Sequence, residues 1–178
     1  MTEEKAQIKN HGDIGFRYAK GKDAGLVLEF LKRLSEYEKA EEHLVSTPEL
    51  LQEELERDNG AKALFVLADG KEVGMALFFR NFSGYLGRAG IFIDALLVLE
   101  EYRGKGYGRA LFEELKKEAA RMGGARMEGC VLHGMVLPWN FIGKTADSLW
   151  ILLLLTGCRW SKRARIDTVA VTFPAYLL

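Results

Sequence analysis

A mixed α/β domain is what this sequence predicts, and three observations predict it. Segments of helical periodicity alternate with short β-rich runs instead of segregating. Asp69-Gly70-Lys71 joins two of those runs, the signal of an antiparallel hairpin. A glycine-rich turn, Gly104 to Gly108, links an apolar run to an amphipathic stretch. At 178 residues the chain is long enough to bury one core. Apolar content of 48% and charged content of 28% fit an ordinary globular protein. Basic and acidic residues balance to a net charge of zero, which argues against nucleic acid as a partner. Met1 to Asn10 is polar and mixed in charge, so it reads neither as a signal peptide nor as a membrane span. Cys130 and Cys158 have no metal-ligand or disulfide spacing, and neither do the histidines; no metal is expected, and a cytoplasmic location is the default.

The elements follow in order. Phe16 to Ala19 is a short strand. Asp23 is placed to cap a helix in which Val27, Phe30, Leu31 and Leu34 recur at the helical period. Ser46-Thr47-Pro48-Glu49 reads as a capping box opening a second helix that runs to about Glu56. Ala63 to Ala68 and Val73 to Phe79 form the hairpin strands. Ile91 to Leu99 is a third strong strand. Gly108 to Met122 carries Leu111, Leu115, Ala119 and Met122 on one stripe. Arg126 to Leu132 is a further strand.

The turn Tyr102-Arg103-Gly104-Lys105-Gly106-Tyr107-Gly108 carries the chemistry. A strand that ends in glycines and opens into a helix aims unpaired N–H groups at one point, with the positive end of the helix dipole behind them. Gly104, Gly106 and Gly108 let an anionic group approach the backbone. Arg103, Lys105 and Arg109 surround it with positive charge. The spacing matches neither a P-loop nor a dinucleotide fingerprint. The loop reads as a pyrophosphate cradle; the alternative is a tight turn with surface charges.

This motif and the element order resemble the GNAT acetyltransferase superfamily, whose Arg/Gln-x-x-Gly-x-Gly/Ala loop is matched by Arg103, Gly106 and Gly108. Leu34-Ser35-Glu36-Tyr37-Glu38-Lys39, Leu77-Phe78-Phe79-Arg80-Asn81-Phe82-Ser83 and Leu86-Gly87-Arg88-Ala89-Gly90 are similar to its diamine branch, the spermidine/spermine and thialysine N-acetyltransferases. The resemblance runs from about Phe16 to His133. It implies a mainly antiparallel sheet flanked by helices, acetyl-CoA as donor and the primary amine of a small molecule as acceptor, with no nucleic acid or membrane as partner. Leu96, Leu97 and Val98 would pair with the pantetheine arm through their backbones, and Arg103, Gly104, Lys105, Gly106, Tyr107, Gly108 and Arg109 would hold the pyrophosphate. Asp94 falls where the family places a substrate-facing carboxylate able to take a proton from the amine; the alternative is a strand residue facing solvent. The family often has a second acid beside it, where this chain has Ala95. Tyr37 and Glu38 match substrate-contact positions, or else form a solvated helix end. Tyr85 falls near a substrate-side aromatic. The branch also implies a homodimer.

The resemblance breaks after His133. Glu128 is the last glutamate, and Trp139, Trp150 and Trp160 all follow it. Residues 134–178 lack the family's Trp-Asn-x-Pro pattern and its Phe-Tyr segment, whose tyrosine serves as general acid. Restoring one thymine after the His133 codon makes Trp-Asn-Gly-Pro-Ser-Leu-Glu-Phe-Tyr-Arg-Lys-Asn-Gly encodable. The expectation is therefore a GNAT domain over 1–133, with its acetyl-CoA motif at 96–109, followed by a frameshifted or diverged segment. Tyr176 lies in the wrong context to replace the lost tyrosine. The family's closing helix and strand pair are expected to be missing, with apolar runs at Leu149 to Leu155 and Thr168 to Phe173 in their place. The alternative function is a non-enzymatic, CoA-binding remnant.

Overall fold

The computed structural model describes residues 14–124, 126–132, 150–156 and 168–171. The order is β1 (Ile14–Tyr18), α1 (Ala24–Glu38), α2 (Pro48–Glu56), β2 (Lys62–Ala68), β3 (Lys71–Ser83), β4 (Arg88–Val98), α3 (Tyr107–Arg121), β5 (Arg126–Leu132), β6 (Trp150–Thr156) and β7 (Thr168–Val171). The strands lie side by side in chain order in one sheet. β1 to β4 are antiparallel, β5 runs parallel to β4, β6 runs parallel to β5, and β7 returns antiparallel to β6. The mixed, mainly antiparallel α/β class is as the sequence predicts.

Each strand of the central hairpin is apolar on both faces because both faces are covered. On one face Leu64 and Val66 of β2 and Ala76 and Phe78 of β3 meet Leu111, Leu115 and Ala119 of α3. On the other, Ala63 and Phe65 of β2 and Met75 and Leu77 of β3 meet Val27 and Phe30 of α1, with Leu51 and Leu55 of α2 packed against them. Phe30 and Phe65 pack at 5.6 Å between ring centroids.

Four local expectations are corrected. Asp23 precedes α1 but its side chain does not cap it. Its carboxylate instead accepts from the Lys20 amide at 2.8 Å and from Arg17 at 3.0 Å, tying down the turn before the helix. Thr47, not Ser46, caps α2, with its hydroxyl accepting from the Leu50 amide and Pro48 following in the first turn. β3 and β4 run well past the apolar core, to Ser83 and from Arg88, because a long antiparallel ladder satisfies their backbones beyond the buried region. The runs near 150–156 and 168–171 do form a strand pair: β6 lies along the whole of β5 from Arg126↔Trp150 to Leu132↔Thr156, and β7 pairs with β6. Tyr176 and most of 134–178 lie outside the described residues.

Candidate functional site

β4 carries a bulge that the sequence pattern hides. Its pairing with β3 passes from Phe78↔Ile93 to Leu77↔Ala95, so Asp94 is the extra residue. The alternation of side chains reverses there: Ile91 and Ile93 pack on the α3 face before the bulge, Leu96 and Val98 after it. β5 pairs with β4 only at Ile91↔Met127, Phe92↔Glu128 and Ile93↔Gly129. Beyond Ile93 the ladder stops, and the remaining half of β4 has no partner on that side among the described residues.

Backbone directions in this unpaired stretch follow from the β3 ladder. The Leu99 amide donates to the Val73 carbonyl at 2.9 Å, so Leu97 and Leu99 face β3 while Leu96 and Val98 face the split. A Cβ built on Gly74 would lie 2.8 Å from the Leu97 carbonyl oxygen, which agrees with that direction. Of the three residues expected to offer backbone groups to a ligand, Leu96 and Val98 turn theirs to the split, where the Val98 carbonyl accepts from Arg103 Nε, and Leu97 turns its own to β3.

The closed end of the split is held by polar groups that the sequence reading missed. Glu128 is buried, accepts from the Asn81 side-chain amide and pairs with Arg126 at 2.9 Å. Gly90 lets these groups close in: a Cβ there would sit 2.7 Å from Asn81 Oδ1 and 2.8 Å from the Arg126 carbonyl oxygen. Charged residues within the β5 run were the available signal.

The open end leads to the glycine turn. Gly104 and Gly106 have φ of 72° and 91°, a region where glycine is favoured, and a Cβ on either would meet nothing within 4 Å among the described residues. Both are held by conformation, and both face open space. Gly106 is the N-cap of α3, with no capping side chain and no acidic residue in the first turn. The leading amides of α3 therefore keep their attraction for an anion. Lys105 and Arg109 are exposed. Tyr107 is buried in the core, edge-on to Tyr102 at 5.9 Å, so only its backbone can serve a ligand. Lys105 lies over the Tyr102 ring at 5.3 Å. The Arg103 side chain is engaged elsewhere: Nε donates to the Val98 carbonyl at 3.0 Å, and the guanidinium stacks on the Tyr37 ring at 4.7 Å.

Tyr37 and Glu38 end α1 and meet this region. Asp94 has an open surface, yet enough protein surrounds its carboxyl that desolvation raises its pKa. Desolvation also raises Glu38, and the nearby Asp94 charge adds to that rise. Tyr37, Glu38, Asp94, Arg103 and the free edge of β4 are thus brought together. Tyr85 is not: it is exposed at the tip of the β3–β4 hairpin, and the strand from Arg88 to Asp94 alone spans about 20 Å.

The arrangement offers a slot for an extended chain along β4, an anion seat at one end and a carboxylate pair beside it. Residues 28–133 match the Acetyltransferase (GNAT) family, and the match ends where the family pattern is lost. The chain is 30% identical over 150 residues to a thialysine N-epsilon-acetyltransferase of Caenorhabditis elegans, covering 78% of this chain and 89% of that one. It is 34% identical over 94 residues to the L-ornithine N5-acetyltransferase NATA1 of Arabidopsis thaliana, covering 51% of this chain and 41%, less than half, of that relative. Its fold is similar to a crystal structure of an aminoglycoside acetyltransferase from a soil metagenomic sample, with a TM-score of 0.64 at 16% identity over 78% of this chain and 90% of that one.

Proposed function

This chain belongs to the GNAT acetyltransferase family, and from that premise we propose that it moves an acetyl group from acetyl-CoA to a primary amine of a small dibasic molecule. The observation that carries the reading is the split between β4 and β5, opening directly onto the uncapped start of α3. An amide-bearing arm can pair with Leu96 and Val98 as an added strand does. Its diphosphate then falls to the amides of Gly104 to Arg109, with Lys105 and Arg109 alongside.

In the proposed reaction the neutral amine nitrogen attacks the thioester carbonyl carbon, the carbon–sulfur bond breaks, and the proton that the nitrogen sheds on becoming an amide balances the thiolate, which departs as the thiol of coenzyme A. An amine near its usual pKa of about 10 is an ammonium at neutral pH, so it must lose a proton first. Asp94 is assigned that proton, directly or through one water, and its raised pKa makes it a better base than an ordinary carboxylate. Glu38 and the ring of Tyr37 suit the substrate's second cationic centre. The relatives' printed substrates, thialysine and L-ornithine, both carry two amines, which supports this acceptor class. Tyr85, at the far end of the β3–β4 hairpin, takes no part in this reading within one chain.

Calorimetry with acetyl-CoA, followed by detection of free thiol with thialysine, L-ornithine and spermidine, tests the reading. Binding together with amine-dependent thiol release is expected. A folded protein without affinity for acetyl-CoA overturns the proposal.

A further inference from the structure

By sequence Arg103 belongs to the anion loop, yet its side chain bridges two other places. Nε donates to the Val98 carbonyl, one of the two acceptors that β4 turns to the split. The guanidinium plane lies over the ring of Tyr37 at the end of α1. One cation therefore covers an acceptor assigned to the donor's arm and the aromatic face assigned to the amine.

We propose that Arg103 is a positioning residue that latches the site shut until coenzyme A arrives; this rests on the acetyl-CoA reading above. The arriving arm competes for the Val98 carbonyl, and the diphosphate attracts the guanidinium more strongly than a neutral ring does. Arg103 then moves to the diphosphate, freeing the face of Tyr37. Its departure also removes a positive charge from the ring that a cationic acceptor would occupy. Donor and amine bind with positive coupling, equal in both directions.

The test uses the full chain, with coenzyme A and spermidine as calorimetric probes. Tyr37→Leu alters a residue that is 54% exposed, so the fold is retained, which a melting curve checks. This variant binds coenzyme A about two- to five-fold more tightly than the parent, the size expected when an exposed cation–π contact no longer holds the guanidinium. The gain disappears when Arg103→Ala is combined with it. Saturating coenzyme A tightens spermidine binding in the parent and not in Arg103→Ala. A merely structural role for the pair gives no tightening. Equal coenzyme A affinity in the parent and Tyr37→Leu overturns the latch alone, as does spermidine affinity that ignores coenzyme A. Absence of coenzyme A binding by the parent overturns the latch and the acetyl-CoA reading together.

Discussion

Gly106 holds a φ of 91° at the start of α3, and its missing Cβ leaves the space where an anion is assigned. Alanine there adds strain of about 1–2 kcal/mol and fills part of the seat. Gly106→Ala is expected to lose at least about ten-fold in coenzyme A affinity, a loss of about 1.4 kcal/mol or more, with a small drop in melting temperature. Asp94→Asn separates base from binding: kcat/KM is expected to fall by about 10²–10⁴ while coenzyme A affinity stays. Its stability should move the other way. Desolvation raises the folded pKa of Asp94, so the ionised carboxylate opposes folding at neutral pH; this penalty fades as pH falls through the raised folded value and is gone below the unfolded one near 4. Asp94→Asn should be slightly more stable than the parent at pH 7, by less than about 1 kcal/mol given its exposure to water, and equal to it near pH 3. Melting curves at the two pH values check the sign; a variant less stable at pH 7 contradicts it.

At the scale of elements, the bulge at Asp94 separates a paired half of β4 from a free half. Deleting Asp94 joins Ile93 to Ala95, and the side chains then alternate without interruption while keeping their present faces. The deletion is expected to fold, with a melting temperature near the parent's, and to lose coenzyme A binding because no bulge then bends the second half of β4 away from β5. Retained binding would show that the bulge does not shape the split. β1 is held to β3 by Arg17, which lies 3.0 Å from Asp23 and 2.7 Å from Glu72. Arg17 lowers the pKa of Glu72; on Asp23 burial acts the other way, but the Lys20 amide and Arg17 outweigh it. Depressed carboxylates stabilise above their unfolded pKa and lose that contribution as pH falls through the folded one. Arg17→Met should cost about 1–2 kcal/mol at pH 7, with the difference shrinking below about pH 4. Chemical unfolding at both pH values measures it.

For the whole molecule, the boundary that matters is at His133, where the family match ends. We propose that residues 134–178 follow a shifted reading frame, since the family match stops at 133 and a single restored thymine makes the Phe-Tyr segment encodable. Sequencing the gene across this codon tests the proposal, and an intact frame coding for Gly134 rejects a sequencing error. A chain with the frame restored should turn over faster than the present one, by about 10²–10⁴ if its tyrosine protonates the departing thiolate. Equal turnover in the two chains would remove that tyrosine's assigned role. The β6–β7 pair along β5 is compatible with either origin, because apolar β-prone runs can extend an open sheet edge whatever their ancestry.

Local signals were enough for much of this protein. The 3.6-residue stripe of α3, the Asp-Gly turn between β2 and β3 and the glycines at 104 and 106 all depend on neighbours within a few residues, and the sequence by itself determined them. Glycine spacing likewise marks the turn to which the anion seat is assigned. The bulge at Asp94, the direction of the Leu97 carbonyl and the reach of Arg103 to Tyr37 depend on strand register and on two elements meeting across the chain. Only the tertiary structure decided those, because register is a relation between strands that no single segment encodes.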